Sequence, residues 1–270
     1  MKKYLFLPPI AHCEIAVTLA DSQSGNRFPD AEWQARIDLA ACYRLADLFG
    51  FSDIIWNHIT AKVPGTDYFL INRFGLRYDE VTASNLVMLD LGGNVINAGL
   101  VSSEEDVNVT GFVIHSAIHR ARSDAQCVFH SHSENGLAVS VLKGGLVPMV
   151  LDAMPFHNRI AYHTFEGQSD DVDECDRLAA SLGDRHVMIL RNHGLLSCGE
   201  TVGAAFMRMY YLERACKVQL QAMATGQALD LPSAELCEHA AGQLTRFLPG
   251  ELEWPALLRL VEAKCPDFRE

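Results

Sequence analysis

The order of apolar and polar positions along the chain predicts helices that alternate with short strands. Residues 30–50 carry apolar side chains at helical spacing, with Asp30 placed as an N-cap and Gly50 at the end, which predicts an amphipathic helix. Two short β-type runs flank the Pro64-Gly65 turn, and a second pair flanks Gly92-Gly93. We interpret both pairs as antiparallel strands.

The same alternation continues through the second half of the chain. In order, the pattern predicts a helix over 111–122, a strand over 125–132, a helix over 133–145, a strand over 146–151, a loop to 167, a helix over 171–183, a strand over 186–194 and helices from Thr201 and Pro232. Such a mixture predicts a layered α/β domain with a mixed sheet. We divide the chain into an N-terminal extension (1–30), a main domain (31–225) and a C-terminal helical tail (226–270).

Composition narrows the classes of protein that this chain can be. Its 270 residues are 49% hydrophobic and carry a formal net charge of −12, so it lacks the basic excess that nucleic-acid binding needs. No apolar run is long enough to cross a membrane, and Pro8 and Pro9 interrupt the only apolar patch that resembles a signal peptide. The eight scattered cysteines form no Cys-x-x-Cys pair, which favours reduced thiols and a cytoplasmic location.

The segment "VFHSHS" places His130 and His132 two residues apart at the end of an apolar run. In a strand, both side chains point to the same face, where they could bind one metal ion or serve as hydrogen-bonded residues at a strand end. His193 ends another strand-like run and is followed by Gly194, which permits a tight turn. Three imidazoles would leave open positions on an ion, as catalytic sites do.

Other histidines and one glutamate are further candidates. His115 and His119 lie four residues apart on one predicted helix face, where they could chelate an ion or line a pocket. His163 and Glu166 lie in a predicted loop. Glu166 is a candidate general base because it is the carboxylate closest in sequence to several histidines.

Two stretches together, "CVFHSHSENGLAVSVLKGGLVP" and "VMILRNHGLLSCGET", resemble the class II aldolase and adducin family. "NHITAKVPGTDYFLINRFGL" and "GFVIHSAIHRARSDA" extend the resemblance over residues 31–225. It implies an α/β/α domain with a mostly antiparallel sheet, assembled as a homotetramer with active sites between subunits. It also implies that His130, His132 and His193 bind the metal, with zinc the usual ion and iron or manganese as alternatives.

The chain departs from the sugar-phosphate aldolases at positions that carry their chemistry. Their catalytic glutamate, four residues before a histidine, is replaced by Gly111, and the paired serines before it by Val109-Thr110. Their Gly-Asn-x-Ser phosphate loop is replaced by Asn57-His58-Ile59-Thr60. In these segments the sequence resembles the adducin head branch of the family. The substrate-binding positions implied here are Asn57, Thr110 and Gly111.

Three functions are consistent with this resemblance. The first is a metal-dependent, aldolase-like lyase that acts on a small carbonyl or hydroxy-acid substrate and is not an ordinary sugar-phosphate aldolase, with His115, His163 and Glu166 as candidates for proton transfer. The second is a non-haem iron oxygenase on the same fold. The third is a non-catalytic, adducin-like oligomeric binding protein. Each predicts a homo-oligomer with neither nucleic-acid nor membrane partners.

Overall fold

Seven short strands form one mixed sheet in the computed structural model, which describes residues 28–96, 107–167 and 174–270. The strands are β1 (His58–Lys62), β2 (Phe69–Ile71), β3 (Val87–Leu89), β4 (Cys127–Ser131), β5 (Ile160–His163), β6 (Val187–Leu190) and β7 (Gly194–Gly199). Their order across the sheet is β3-β2-β1-β4-β7-β6-β5. Neighbours run antiparallel except β5 and β6, which are parallel.

Helices cover both faces of this sheet. They are α1 (Asp30–Leu48), α2 (Val109–Ala121), α3 (Glu134–Ser140), α4 (Glu174–Leu182), α5 (Val202–Ala224), α6 (Ala234–Leu244) and α7 (Glu253–Lys264). The first helix begins one residue earlier than predicted, because Asp30 is its first helical residue and Pro29 precedes it.

Strand alternation sorts the core into two apolar layers. In β4, Phe129 packs in the cluster that contains residues of α1, α5 and α7, whereas Val128 packs with Ile114 of α2 and Leu178 of α4. The side chains of His58, Thr60 and His130 share the α2/α4 face with Val128, because His58 and Thr60 pair in register with His130 and Val128. The α/β/α fold with a mixed, mostly antiparallel sheet is therefore confirmed.

The predicted strand over 146–151 is wrong. Its backbone amides bond to side chains instead of to a neighbouring strand: Leu146 N donates to Tyr162 Oη (3.2 Å) and Val147 N donates to Gln219 Oε1 (2.6 Å). A 3₁₀ helix follows over Leu151–Phe156. Conversely, β5 lies within a predicted loop, and β7 was not predicted as a strand.

The C-terminal segment packs against the main domain. Phe268 is fully buried, Arg44 of α1 forms an ion pair with Asp267 (2.7 Å), and Trp254 Nε1 donates to Asp38 Oδ1 (3.2 Å). Helix α7 and α1 therefore share one core. Among the residues that the structure describes, no helix combines the length and apolar character that a membrane span requires.

Candidate metal centre

Three histidines converge at one end of strands β4, β6 and β7. The Nε2 atoms of His130 and His132 lie 3.0 Å apart, and the ring centroid of His193 is 4.8 Å from that of His130 and 5.1 Å from that of His132. One nitrogen from each ring can be chosen so that all three lie within 4.8 Å of one another. The structure thus brings together the three histidines that the sequence singled out.

Gly194 permits this convergence at the turn between β6 and β7. A Cβ at position 194 would lie 2.5 Å from the carbonyl oxygen of Ser131 and 3.2 Å from the His132 ring. Real Cβ atoms do not approach backbone that closely, so only glycine lets β7 begin beside the end of β4. His193 is therefore held against the other two imidazoles by a close backbone approach.

In two of the three rings, a hydrogen bond from Nδ1 fixes which nitrogen of the neutral imidazole carries the proton. His130 Nδ1 donates to the carbonyl oxygen of Leu195 (2.9 Å), and His132 Nδ1 donates to Asp53 Oδ2 (3.1 Å). A neutral imidazole has one N–H, so both Nε2 atoms carry lone pairs. Burial lowers the pKa of His130 well below its ordinary value, with further lowering from the charges of His193 and His132.

The donor set fits a divalent metal ion. With Nδ1 donating on each ring, the neutral forms present two Nε2 lone pairs 3.0 Å apart, close to the roughly 3.3 Å that separates two imidazole ligands on a tetrahedral ion. Burial, followed by the charge of His132, lowers the pKa of His193 to about 4, which keeps this third ring neutral and available as a ligand.

A loop over residues 51–57 braces His132 from outside the sheet. Asn57 adopts a left-handed backbone conformation (φ 72°), accepts a hydrogen bond from His132 N (3.1 Å) and donates one to the carbonyl oxygen of Phe51 (3.2 Å). Ser131 Oγ donates to the same carbonyl oxygen (3.1 Å). The amide of Asn57, predicted to bind substrate, is engaged at both ends in this brace.

His58 occupies the space above Gly111, where the related aldolases are expected to carry a glutamate. A Cβ at position 111 would lie 2.7 Å from His58 Cδ2 and 2.8 Å from Cγ. Thr110 lies beside Gly111 in the first turn of α2. The His58 ring is also 5.1 Å, centroid to centroid, from that of His130. A fourth imidazole therefore adjoins the three candidate ligands.

His115 and His119 do not form a separate metal site, because all four of their ring nitrogens have protein partners. His115 Nε2 bonds to His58 Nδ1 (2.9 Å), and His115 Nδ1 bonds to Thr60 Oγ1 (2.7 Å). His119 Nε2 bonds to the same hydroxyl (2.7 Å), and His119 Nδ1 donates to the carbonyl oxygen of Ala125 (2.9 Å). Both rings are buried. His115 adjoins the candidate metal centre through its hydrogen bond to His58.

His163 and Glu166 lie beside α4. His163 ends β5, and its Nδ1 bonds to Ser181 Oγ (2.9 Å). Its Nε2 is buried without a hydrogen bond, 3.6 Å from Glu174 and 3.8 Å from Glu166. Glu166 is exposed and forms a short ion pair with Arg177, which lowers the pKa of its carboxyl. After burial and the charge of His132, a charge on His163 is the third cause that lowers the pKa of His193.

A groove of 620 Å³ opens beside the centre and includes His132 and Asp53 in its wall. Tyr210, Arg214 and Lys217 of α5 also line it. Its volume is of the size that holds a small organic molecule.

Asp124, His186 and Glu200 form a second group with metal-ligand spacing. Arg122 already bonds to both carboxylate oxygens of Asp124, and Arg208 to both of Glu200. Two bound guanidinium groups neutralise these carboxylates, so the His130, His132 and His193 group is the better metal site.

The sequence interpretation missed His58 and Asp53 as parts of the centre. His58 was considered only as one residue of a changed loop motif, and its contact with α2 joins segments more than fifty residues apart. Asp53 contacts a histidine 79 residues later. The local sequence indicates only that His58 and Thr60, two residues apart, point to the same face of a strand.

Comparisons with known proteins show the family and the fold of the chain. The family described as "Class II Aldolase and Adducin N-terminal domain" matches residues 37–220. The crystal structure of an aldolase II superfamily protein from Pseudomonas syringae is 44% identical and has a TM-score of 0.84, with 90% of this chain and 98% of that chain covered.

Two further relatives represent different branches. Alpha-adducin of Rattus norvegicus is 40% identical over 247 residues; the match covers 84% of this chain and 33% of that protein. The structure of an L-fuculose 1-phosphate aldolase from Glaciozyma antarctica PI12 is 30% identical and has a TM-score of 0.79, with 88% of this chain and 93% of that chain covered.

Proposed function

The chain belongs to the class II aldolase and adducin family, and we propose that it is a divalent-metal-dependent, aldolase-like lyase acting on a small carbonyl or hydroxy-acid substrate. The observation that carries the proposal is the pair of unprotonated Nε2 atoms on His130 and His132, 3.0 Å apart, with His193 beside them. Structural metal sites are closed by four protein ligands, whereas three ligands leave a position for substrate.

The bound ion, with zinc as the first candidate and iron or manganese as alternatives, would act as a Lewis acid toward a substrate oxygen. The carboxylate of Asp53 holds His132 in the tautomer that presents Nε2, as second-shell carboxylates do at histidine metal sites. The groove beside His132 has room for the substrate. Lys217 in its wall is exposed and available to an anionic group.

Proton transfer is assigned first to His115. Its Nε2 bonds to His58 at 2.9 Å, and His58 stands next to His130. His163 and Glu166 are the second candidates, because the orphaned Nε2 of His163 can accept or donate a proton once a substrate approaches. Gly111 and Thr110, in the first turn of α2, are proposed to adjoin the substrate.

A non-catalytic, adducin-like role is the alternative that Gly111 favours. The aldolase glutamate is absent, and alpha-adducin is 40% identical over 247 residues. Against this role, a binding protein has no physical need for three neutral imidazoles with an open side. We therefore favour the enzyme.

Elemental analysis followed by an activity screen separates these functions. We expect stoichiometric zinc, together with retro-aldol cleavage of a hydroxycarbonyl or hydroxy-acid compound that stops on chelation and returns on adding metal. Purified protein without stoichiometric metal would contradict the enzyme proposal. Bound iron with oxygen consumption would identify the oxygenase instead.

The assembly proposed is a cytoplasmic homotetramer. Ile54 and Trp56, beside Asp53 in the bracing loop, are 70% and 49% exposed, so apolar surface lies close to the centre. The described cysteines are all free thiols, as expected in a reducing compartment. Light scattering during size-exclusion chromatography measures the assembly, and a monomeric mass would contradict it.

A further inference from the structure

A buried chain of hydrogen bonds begins at the carbonyl oxygen of Ala125 and ends at His58. The carbonyl oxygen can only accept, so His119 Nδ1 carries the proton of their 2.9 Å bond. Burial lowers the pKa of His119 to about 3 and so keeps the ring neutral. Its Nε2 therefore carries a lone pair and must accept.

The direction of the remaining bonds follows from this first one. The Thr60 hydroxyl has a single hydrogen, which it donates to His119 Nε2 (2.7 Å), so it accepts from His115 Nδ1 (2.7 Å). His115 Nε2 then carries a lone pair and accepts from His58 Nδ1 (2.9 Å). The direction of each hydrogen bond therefore fixes the direction of the next one, and the proton of His58 lies on Nδ1.

His58 Nε2 is consequently an unprotonated acceptor, and none of the hydrogen bonds formed among the described residues reaches it. The ring stands beside His130, its partner in the β1–β4 register, and over Gly111. Because Nδ1 is held by His115, the ring cannot turn to present an N–H in that position. The amide of an asparagine, in contrast, can present either an oxygen or an N–H.

We propose that His58 Nε2 is a fixed hydrogen-bond acceptor that binds a hydroxyl group of the substrate and excludes phosphate from that position. The inference rests on the proposed function and narrows it to an unphosphorylated 2-hydroxy acid or hydroxycarbonyl compound. A phosphate dianion offers only acceptor oxygens, so both partners would lose a hydrogen bond in a buried setting. That loss weakens binding roughly 10- to 100-fold.

The tautomer is measured without metal or substrate. In metal-free protein with ¹⁵N-labelled histidine, long-range ¹H–¹⁵N spectra report which nitrogen of each ring is protonated. We expect His58 to be protonated at Nδ1 only. Thr60→Val interrupts the chain and should mix the tautomers of His115 and His58, whereas Thr60→Ser keeps the hydroxyl and should leave them fixed. A proton on His58 Nε2 in the unmodified protein would overturn the proposal, whatever the protein catalyses.

Binding tests the selectivity. Zinc-loaded protein is titrated calorimetrically with glycolate and with phosphoglycolate. We expect glycolate to bind the unmodified protein more tightly, and His58→Asn to shift the ratio of the two affinities at least tenfold toward phosphoglycolate. If His58→Asn does not fold, Thr60→Val should shift the ratio in the same direction and Thr60→Ser should not. An unchanged ratio in folded variants would overturn the proposal. Failure of both probes to bind would reject the proposed substrate class, and the spectra would still decide the tautomer.

Discussion

The imidazole of His58 lies against Gly111 so closely that a Cβ there would stand 2.7 Å from its Cδ2 atom. The space between β1 and α2 at this point therefore has room for only one side chain, and the His58 ring fills it. Gly111, which stands where the related aldolases are expected to carry a glutamate, leaves room for the His58 ring beside the candidate metal ligands. The candidate site therefore differs from the aldolase site in two ways: it lacks the glutamate, and it carries the His58 ring in that space.

Gly111→Ala should therefore destabilise the protein. The new methyl group must displace the His58 ring, and overpacking of this kind costs about 1–3 kcal/mol, whereas the gain in helix propensity is at most about 1 kcal/mol. Gly242→Ala is a matched control, because Gly242 is an exposed residue of α6 with no atom within 4 Å of its added Cβ. Urea unfolding should show a lower free energy for Gly111→Ala and an equal or higher one for Gly242→Ala. Equal stability gains in both variants would mean that the His58 ring moves freely.

Asp53→Asn should weaken metal binding while leaving the fold intact. The carboxylate accepts a hydrogen bond from His132 Nδ1. At other histidine metal sites, losing such a partner lowers the metal affinity roughly 10- to 100-fold. Competition with a chromogenic chelator measures the affinity. Asp79→Asn, which removes an exposed ion pair with Arg77, is the control and should bind metal as the unmodified protein does. Equal affinity in the two variants would show that Asp53 does not orient the ligand.

Stability of the metal-free protein should fall as the pH is lowered below about 6.5. Burial lowers the pKa of His119 to about 3 in the folded state, while an unfolded histidine titrates near its ordinary value of about 6.5. Between these values the unfolded chain binds more protons, so the free energy of unfolding decreases with falling pH by up to about 1.4 kcal/mol per unit for this residue.

Urea unfolding at pH 7, 6 and 5 measures that slope. His119→Asn should make it shallower, whereas His239→Asn, which changes an exposed residue of α6, should leave it unchanged. Identical slopes for His119→Asn and the unmodified protein would contradict a neutral, buried His119.

Sequence periodicity predicted the mixture of helices and strands, although not β5 and β7, and the convergence of His130 and His132, because alternation in a strand is a local property. It placed Glu166 among the candidate bases without revealing that Arg177, eleven residues later, pairs with it. It predicted a strand where Gln219 captures the backbone amide of Val147. The role of His58 also depended on packing between β1 and α2, which no short window of sequence contains. Each of these contacts involves a partner outside the short window that was interpreted, from eleven residues away for Arg177 to 72 residues away for Gln219.

Metal titration of the purified apoprotein tests the central claim most directly. Isothermal calorimetry with Zn²⁺ should give about one ion per chain for the unmodified protein, as expected for three converging imidazoles. His132→Ala removes one of the two facing Nε2 atoms and should lose that binding, whereas His157→Ala, a variant of a histidine outside the centre, should retain it. Full zinc binding by His132→Ala, or no binding by the unmodified protein, would contradict the assignment of His130, His132 and His193 as a metal centre.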